Sequence, residues 1–175
     1  MRILTLVPVG QVERIQLTAL AEGLAAHLGV ACSIHPDGLD PGFAYNPLRG
    51  QYHSTEILKR LVQDTPAGSW RVLGVTEYDL YIPIMTFVFG EAQLEARGAL
   101  VSLHRLRQEF YGLPSDLQLL NQRLLKESIH ELGHTLGLRH CADYQCAMSP
   151  SHAVEKIDVK LAEFCSACTA SFAHA

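Results

Sequence analysis

The chain has 175 residues, of which 48% are hydrophobic and 18% are charged, and its formal net charge is −4. This profile is typical of one folded domain and excludes an intrinsically disordered chain. The acidic balance, without any Lys/Arg cluster, argues against binding to nucleic acid or to an anionic membrane, and no stretch approaches the roughly 18 consecutive apolar residues of a membrane helix.

The first half of the chain alternates between strand and helix patterns. The predicted strands occupy residues 2–9, 30–34, the start of 70–81, 85–90 and 99–106. Helix patterns cover residues 12–27 and 54–64, and a loop rich in Pro and Gly is expected over 35–52. The order predicts an α/β (α+β) domain with a partly parallel, mixed sheet and packed helices. The first strand lacks the flanks of a signal peptide, so we expect a cytoplasmic protein without a pro-segment.

A long helix is predicted next, over about 115–137. Pro114, Ser115 and Gln118 form a capping-box pattern at its start. Two apolar stripes follow at helical spacing, one of Leu125, Ile129, Leu132 and Leu136 and the other of Leu117, Leu120 and Leu124. We therefore expect this helix to run through the middle of the domain.

The remaining side of that helix carries His130 and His134. Residues four positions apart share a helix face, so these imidazoles can bind one metal ion. Glu131 is rotated by about 100° from His130 and can reach a zinc-bound water as a general base. The alternative for H-E-x-x-H alone is a polar helix face with two solvated histidines.

The continuation of the motif favours a catalytic metal site. Gly137 can supply the left-handed conformation that ends the helix, and His140 follows as a third ligand. H-E-x-x-H-x-x-G-x-x-H is the zinc motif of the metzincins, and three histidines leave a position open for water or substrate. Met148 then fits the methionine that packs under such a site, although a methionine can also simply fill a core.

The cysteines predict a second metal site. Cys141 and Cys146 form a C-x4-C pair, and Cys165 and Cys168 form a C-x2-C pair, which together suit a closed, structural zinc site. Disulfides are the alternative, but a reducing compartment disfavours them. Cys32 is left over and is expected to be a buried thiol.

These residues resemble those of the archaemetzincins, a family of small zinc metallopeptidases. The resemblance is specific over residues 127–168, where the histidine motif, the four cysteines and Met148 fall in order, and it is weaker around 45–52, 79–81, 87–91 and 158–160. It implies a compact metzincin-like fold with a central zinc-binding helix, two zinc ions per chain (one catalytic, one structural) and peptidase activity.

We therefore expect a zinc-dependent metallopeptidase that hydrolyses a peptide or protein substrate. His152 and Tyr144 are candidates for a second group that stabilises the oxyanion. The segment 85–90 is predicted to be either a plain sheet strand or a cleft-edge strand that pairs with substrate. Two alternatives stay open: a three-histidine zinc hydrolase acting on RNA, which Glu131 and the acidic balance disfavour, and a zinc-stabilised binding module without turnover.

The expected organisation is a single domain over 1–175. An N-terminal subdomain would span 1–137, and a C-terminal, zinc-stabilised subdomain would span 138–175. No nucleic acid or membrane partner is expected, and the protein is expected to be a monomer.

Overall fold

The computed structural model describes residues 2–65 and 67–172, and within these ranges five strands form one sheet. Its order is β2 (Ala31–Ile34), β1 (Ile3–Val9), β5 (Arg71–Thr76), β8 (Gly98–Ser102) and β7 (Gly90–Ala92). All neighbouring pairs are parallel except β7 and β8, which are antiparallel. The predicted α/β class with a mixed sheet is confirmed.

Helices cover both faces of this sheet because its strands alternate their buried side chains. Leu4 and Leu6 of β1 pack with α1 (Arg14–Leu28) and α3 (Leu117–Thr135), whereas Val7 and Val9 pack with α2 (Ser54–Asp64). A strand with apolar residues on both faces is typical of a parallel sheet between helices. The bounds of α2 equal the predicted ones, and α1 begins two residues later than predicted.

The long helix α3 begins at Leu117, two residues later than expected, and it ends at Thr135. Asp116 is its N-cap and accepts a hydrogen bond from the Leu119 amide, so the assignment of the start to Ser115 was wrong. The carboxylate satisfies one of the amides that a helix start leaves unpaired. Leu117 of the second apolar stripe is 58% exposed, whereas Leu120 and Leu124 are buried.

Two predictions about the connecting segments need correction. The expected loop over 35–52 contains β3 (Tyr45–Asn46) and the start of β4 (Gln51–His53), which form a second sheet with β6 (Leu80–Tyr81). The strand predicted over 85–90 is wrong: a regular strand begins only at Gly90, and the preceding residues contribute one isolated bridge between Val88 and Leu80.

The C-terminal part of the chain packs against the site helix. It contains α4 (Val154–Val159) and α5 (Ser166–Phe172), which the sequence patterns did not predict. Val154 and Ile157 of α4 enter the same core as Leu120, Leu124 and other residues of α3. Across the described ranges, no helix is both long and apolar enough to span a membrane.

Candidate active site and metal centres

Helix α3 and the turn after it bring together the three predicted histidines. His130 and His134 lie one turn apart on α3, and His140 follows from beyond the helix end. One nitrogen from each of the three imidazoles can be chosen so that all three atoms lie within 4.8 Å of one another. His130 is 5% exposed, whereas His140 is exposed at the surface.

Hydrogen bonds fix the orientation of the two helical imidazoles. The Nδ1 atoms of His130 and His134 lie 2.8 Å from the carbonyl oxygens of Ala147 and Leu138. A carbonyl only accepts, so each Nδ1 carries the proton and each Nε2 presents a lone pair. The backbone carbonyl is a usual partner for the second nitrogen of a metal-ligating histidine.

The distance between these two Nε2 atoms fits a shared cation. They lie 3.2 Å apart. Two lone pairs facing each other at that distance repel unless a cation lies between them. A tetrahedral zinc with Zn–N bonds of about 2.0–2.1 Å separates its nitrogen ligands by about 3.4 Å. The donor set therefore fits zinc.

Burial keeps these imidazoles neutral, as a metal ligand must be. Burial, with a smaller contribution from the nearby charge of Lys160, lowers the pKa of His130 to about 3. Burial also lowers the pKa values of His134 and His140.

Glu131 follows His130 on α3, and its side chain is buried beside β7. A Cβ added to Gly90 would lie 2.8 Å from Cγ and 2.9 Å from Oε1 of Glu131, so the carboxylate occupies space that a side chain at position 90 would take. Burial, followed by the negative charges of Glu127 and Glu91, raises the pKa of Glu131 well above its ordinary value. A carboxylate in this environment is a stronger base than one in water.

An open cleft of about 620 Å³ contains these groups. Its walls include the three histidines, Glu131, Glu127, Glu91 and the segment from Val88 to Ala92. His152, one of the candidates for oxyanion stabilisation, also lines the cleft. The other candidate, Tyr144, is 66% exposed.

Gly137 and Met148, which were predicted to support the histidine site, both contact α3. Gly137 has φ +89°, and its amide donates to the carbonyl of His134, so the chain turns out of α3 there. Met148 is fully buried against Gly133: a Cβ added to Gly133 would lie 2.3 Å from the Met148 sulfur. Gly133 is not among the residues predicted from sequence to support the site, although it lies between His130 and His134 on the same helix.

The four predicted cysteines form a second cluster. The Sγ atoms of Cys141 and Cys165 lie 3.8 Å apart, as do those of Cys146 and Cys168, and all four lie within 4.8 Å of one another. Zn–S bonds of about 2.3 Å in a tetrahedron place sulfurs about 3.8 Å apart, whereas a disulfide needs about 2.05 Å. The cluster therefore fits zinc, and the disulfide alternative is not realised.

The environment of these sulfurs also fits a bound cation. Backbone amides of Met148 and Cys165 lie 3.4 and 3.3 Å from the sulfur of Cys146. The backbone amide of Cys168 lowers the pKa of Cys165 to about 7, whereas burial and then Cys165 raise the pKa of Cys168. Four adjacent sulfurs become thiolates together only when a positive charge compensates them.

A buried ion pair beside the histidines was not assigned a role from sequence. The Nζ atom of Lys160 lies 3.2 Å from Oε1 of Glu127 and 3.4 Å from the Ala147 carbonyl that His130 also contacts. The side chain of Lys160 is fully buried, and that of Glu127 is 4% exposed. Glu127 lies one helical turn before Glu131. In the sequence, a second acidic residue at this spacing on a helix predicted to be buried indicates that Glu127 needs a partner.

Comparison with known proteins agrees with this arrangement. Residues 44–174 match the family described as Peptidase family M54. Archaemetzincin from Methanocaldococcus jannaschii is 47% identical over 161 residues, which cover 92% of this chain and 87% of that protein.

Solved structures match almost the whole chain. Archaemetzincin from Methanopyrus kandleri has a TM-score of 0.84 at 36% identity, covering 99% of this chain and 94% of the other. A zinc-dependent peptidase from Methanocorpusculum labreanum has a TM-score of 0.85 at 32% identity, covering 97% and 99%. The chain therefore belongs to Peptidase family M54 and, within it, to the archaemetzincins, which are zinc metallopeptidases.

Proposed function

We propose that the chain hydrolyses peptide bonds in the cleft between α3 and β7, with zinc held by His130, His134 and His140. The observation that carries this proposal is the pair of Nε2 atoms at 3.2 Å, each made an acceptor by the carbonyl behind its ring. The positions of Glu131 and the cleft around it support the same reading.

When bound there, zinc lowers the pKa of water towards about 7 and polarises the carbonyl of the peptide bond. Glu131 accepts a proton from the attacking water at its carboxylate and donates it to the nitrogen of the leaving amine. Burial raises the pKa of Glu131 above its ordinary value, so its carboxylate accepts a proton more readily than a carboxylate in water. Gly90 leaves room for the carboxylate.

We also propose that Cys141, Cys146, Cys165 and Cys168 hold a second zinc ion, which has a structural role. Four protein ligands leave no open position, so this ion would stabilise the C-terminal part rather than react. Two ions per chain is the resulting stoichiometry. We also propose a boundary between an N-terminal subdomain and a zinc-stabilised C-terminal subdomain after residue 137, in the turn that follows α3.

The alternative of an RNA hydrolase has no support, because the family that matches is a peptidase family. The alternative of a binding module without turnover is separated by experiment. The protein loaded with zinc is incubated with a mixed peptide library, and the products are identified by mass spectrometry.

The variant that tests the role of Glu131 is Glu131→Ala. Loss of the general base should reduce hydrolysis at least about a hundredfold. Zinc content should stay at the wild-type value, since Glu131 is not a proposed ligand. His27→Ala is a control because His27 is exposed in the last turn of α1, where its Nδ1 bonds to the Gly23 carbonyl. Full activity of Glu131→Ala, or loss of its zinc, would show that the role is misassigned.

A further inference from the structure

One wall of the cleft is a segment that has no regular strand of its own. We term this segment, residues 82–89, the cleft rim. Its backbone is tied to the second sheet by the amide of Val88, which donates to the Leu80 carbonyl at 2.9 Å, and to β8 by the carbonyl of Phe89, which accepts from Ser102 at 2.8 Å. Residues 82–87 make one backbone hydrogen bond within the rim, from the Met85 amide to the Ile82 carbonyl at 3.0 Å. The carbonyls of Met85 and Thr86 bond to side chains.

Arg49 makes several of these contacts from the turn between β3 and β4. One guanidinium nitrogen, Nη2, lies 2.8 Å from the carbonyl oxygen of Met85 and 3.0 Å from that of Thr86. Nε donates to the side chain of Gln51 at 2.9 Å, and the guanidinium lies 4.0 Å from the ring centre of Tyr81. The guanidinium of Arg49 thus stacks on the ring of Tyr81 and donates to two backbone carbonyls of the rim.

Gln51 links these contacts to a partly buried ion pair. Its Nε2 atom donates to the Thr86 carbonyl and to Oδ2 of Asp79, each at 2.9 Å. Arg105 holds Asp79 through two bonds of 2.8 Å, and its guanidinium lies 4.1 Å from the ring centre of Phe87. Burial acts against ionisation of Asp79, but its bonds to Arg105 and Gln51 outweigh burial and lower its pKa, so the carboxylate is charged.

The side chains that this arrangement presents to the cleft are apolar. With the exception of Thr86, the rim residues that line the cleft are Ile82, Ile84, Met85, Phe87, Val88 and Phe89. Ile84 is 89% exposed and Met85 is 42% exposed. Exposed apolar side chains in a concave site gain free energy when an apolar ligand group covers them.

We propose that Arg49 and Gln51 are positioning residues of the substrate cleft, and that the rim they hold selects peptides with an apolar side chain. This inference rests on the proposed peptidase function, because it names the substrate class of the same site. Neither Arg49 nor Gln51 is among the residues that line the cleft. They act through the backbone of residues 85 and 86, whose carbonyls they bind.

The physical basis is pre-organisation of the rim. A rim that is already ordered loses little conformational entropy when a peptide binds. A larger part of the free energy gained from apolar contacts therefore contributes to the binding affinity. Without Arg49, the carbonyl of Met85 would bond to water and that of Thr86 would keep its bond from Gln51 alone, so the rim would sample other positions. The preference for an apolar side chain would then weaken, because the apolar wall would no longer be held in place.

The test measures binding in a protein that does not turn over. Two fluorescein-labelled nonapeptides, identical except for Leu or Asp at the central position, are titrated into zinc-loaded Glu131→Ala protein by fluorescence anisotropy. The Leu peptide should bind at least about tenfold more tightly. Adding Arg49→Met, which keeps the length of the side chain and loses its donors, should reduce that ratio to about twofold. The zinc content should not change.

A matched control and a second measurement separate positioning from general damage. Arg60→Met removes the same charge from the exposed face of α2, where Arg60 pairs with Asp64, and should leave the ratio unchanged. Hydrogen exchange of residues 82–89 should be faster in Arg49→Met than in Arg60→Met. Arg49 is exposed at the surface, so the variant should fold.

Three results would overturn the inference: an unchanged Leu-to-Asp ratio in Arg49→Met, unchanged exchange of the rim, or no preference for the Leu peptide in the parent. Hydrolysis by the wild-type protein is measured separately. A protein that binds with this selectivity but cleaves nothing would reject the proposed function and leave the rim assignment standing.

Discussion

At the scale of single residues, Gly133 determines how closely Met148 can approach α3. A Cβ at this position would lie 2.3 Å from the sulfur of Met148 and 3.1 Å from Cε1 of Phe164. Real Cβ atoms do not approach other atoms as closely as 2.3 Å. The neighbour of Met148, Ala147, offers the carbonyl that His130 contacts. The packing of Met148 against Gly133 therefore affects the orientation of His130, a proposed metal ligand.

Gly133→Ala should lower both stability and zinc affinity. Alanine gains about 1 kcal/mol over glycine in a helix interior. Overpacking of a tight core costs about 1–3 kcal/mol, and Met148 is fully buried, so we expect a net loss of stability. Displacement of the 147–148 segment would also weaken the hydrogen bond to His130. Urea unfolding and a zinc titration measure the two effects.

Gly23→Ala is the matched control for this prediction. Gly23 also lies within a helix, α1, but the atom nearest its added Cβ is Cδ1 of Leu125 at 3.1 Å, the end of a flexible side chain. The helix should therefore retain most of the gain of about 1 kcal/mol, and zinc affinity should not change. Equal effects of the two substitutions would contradict the role assigned to Gly133.

At the scale of elements, two ion pairs attach the C-terminal part to α3, and the pair between Lys160 and Glu127 is buried. Arg123 holds Asp158 at the end of α4 through two bonds of 2.7 Å, and Glu127, one turn further along α3, pairs with Lys160. Along α3, the positive Arg123 is thus followed one turn later by the negative Glu127, and each pairs with a residue of opposite charge in the C-terminal part. Such pairing specifies which residues of the C-terminal part meet which turn of the helix.

Lys160→Met should cost about 3–5 kcal/mol of unfolding free energy, because it leaves the carboxylate of Glu127 buried without a partner. Glu127→Met combined with Lys160→Met should recover most of that loss, since two apolar side chains need no compensation. Both variants are compared with the wild type by urea unfolding at saturating zinc.

An exposed lysine provides the comparison. Lys59 pairs with Glu56 on α2 at 2.9 Å, and both side chains are at least 50% exposed. Lys59→Met should change stability by less than about 1 kcal/mol, because water already solvates both charges. If Lys160→Met cost no more than Lys59→Met, the ion pair would not hold the C-terminal part.

Some strands and helices could be predicted from local sequence patterns, and others could not. The alternation of apolar side chains in β1 and the amphipathic pattern of α2 are local properties, and both elements were predicted within a residue of their ends. The segment 85–89 also has a strand pattern but forms no regular strand, and the carbonyls of Met85 and Thr86 bond to the side chains of Arg49 and Gln51 instead of to a neighbouring strand. Those donors lie more than thirty residues away, beyond the reach of any local pattern.

At the scale of the whole molecule, the two proposed metal sites share one stretch of backbone. His140 and Cys141 are adjacent, and the amide of Cys141 donates to the carbonyl of Met148 at 3.0 Å. Ala147, next to Met148, bonds to His130 through its carbonyl and to Glu163 through its amide at 2.9 Å. Changes at either cluster should therefore reach the other through residues 140–148.

The two ligand sets could be read from sequence because their spacing is local. The histidines fall within eleven residues and each cysteine pair within six, and the structure brings each set together. The contacts that orient them were not readable, since Lys160 meets Glu127 across 33 positions and the partner of His130 is a backbone carbonyl. Backbone atoms and distant charges carry no signature in a single sequence.

Cys165→Ser should therefore affect the histidine site from a distance. Loss of one thiolate of four weakens the proposed structural zinc, and the binding energy of that ion is folding free energy for the segments it joins. Residues 140–148 would then be held less firmly, so His140 would lose its fixed position. His130 and His134 would remain on α3, which is packed on buried Leu124, Ile129 and Leu132. We expect lower thermal stability and weaker binding of zinc at the histidines, with the sheet intact.

The measurement that checks this coupling compares Cys165→Ser with Cys32→Ser. Cys32 lies on β2, outside the cysteine cluster, so the same substitution there should leave zinc binding unchanged. Both proteins are titrated with zinc under reducing conditions, and their melting temperatures and circular dichroism are recorded. Residues 140–148 carry ligands of both proposed sites, and Met148 packs with the cysteine cluster. Weaker histidine-site binding in Cys165→Ser would therefore indicate that this segment transmits the change. If Cys165→Ser bound zinc at the histidines as tightly as Cys32→Ser and melted at the same temperature, the two sites would be independent.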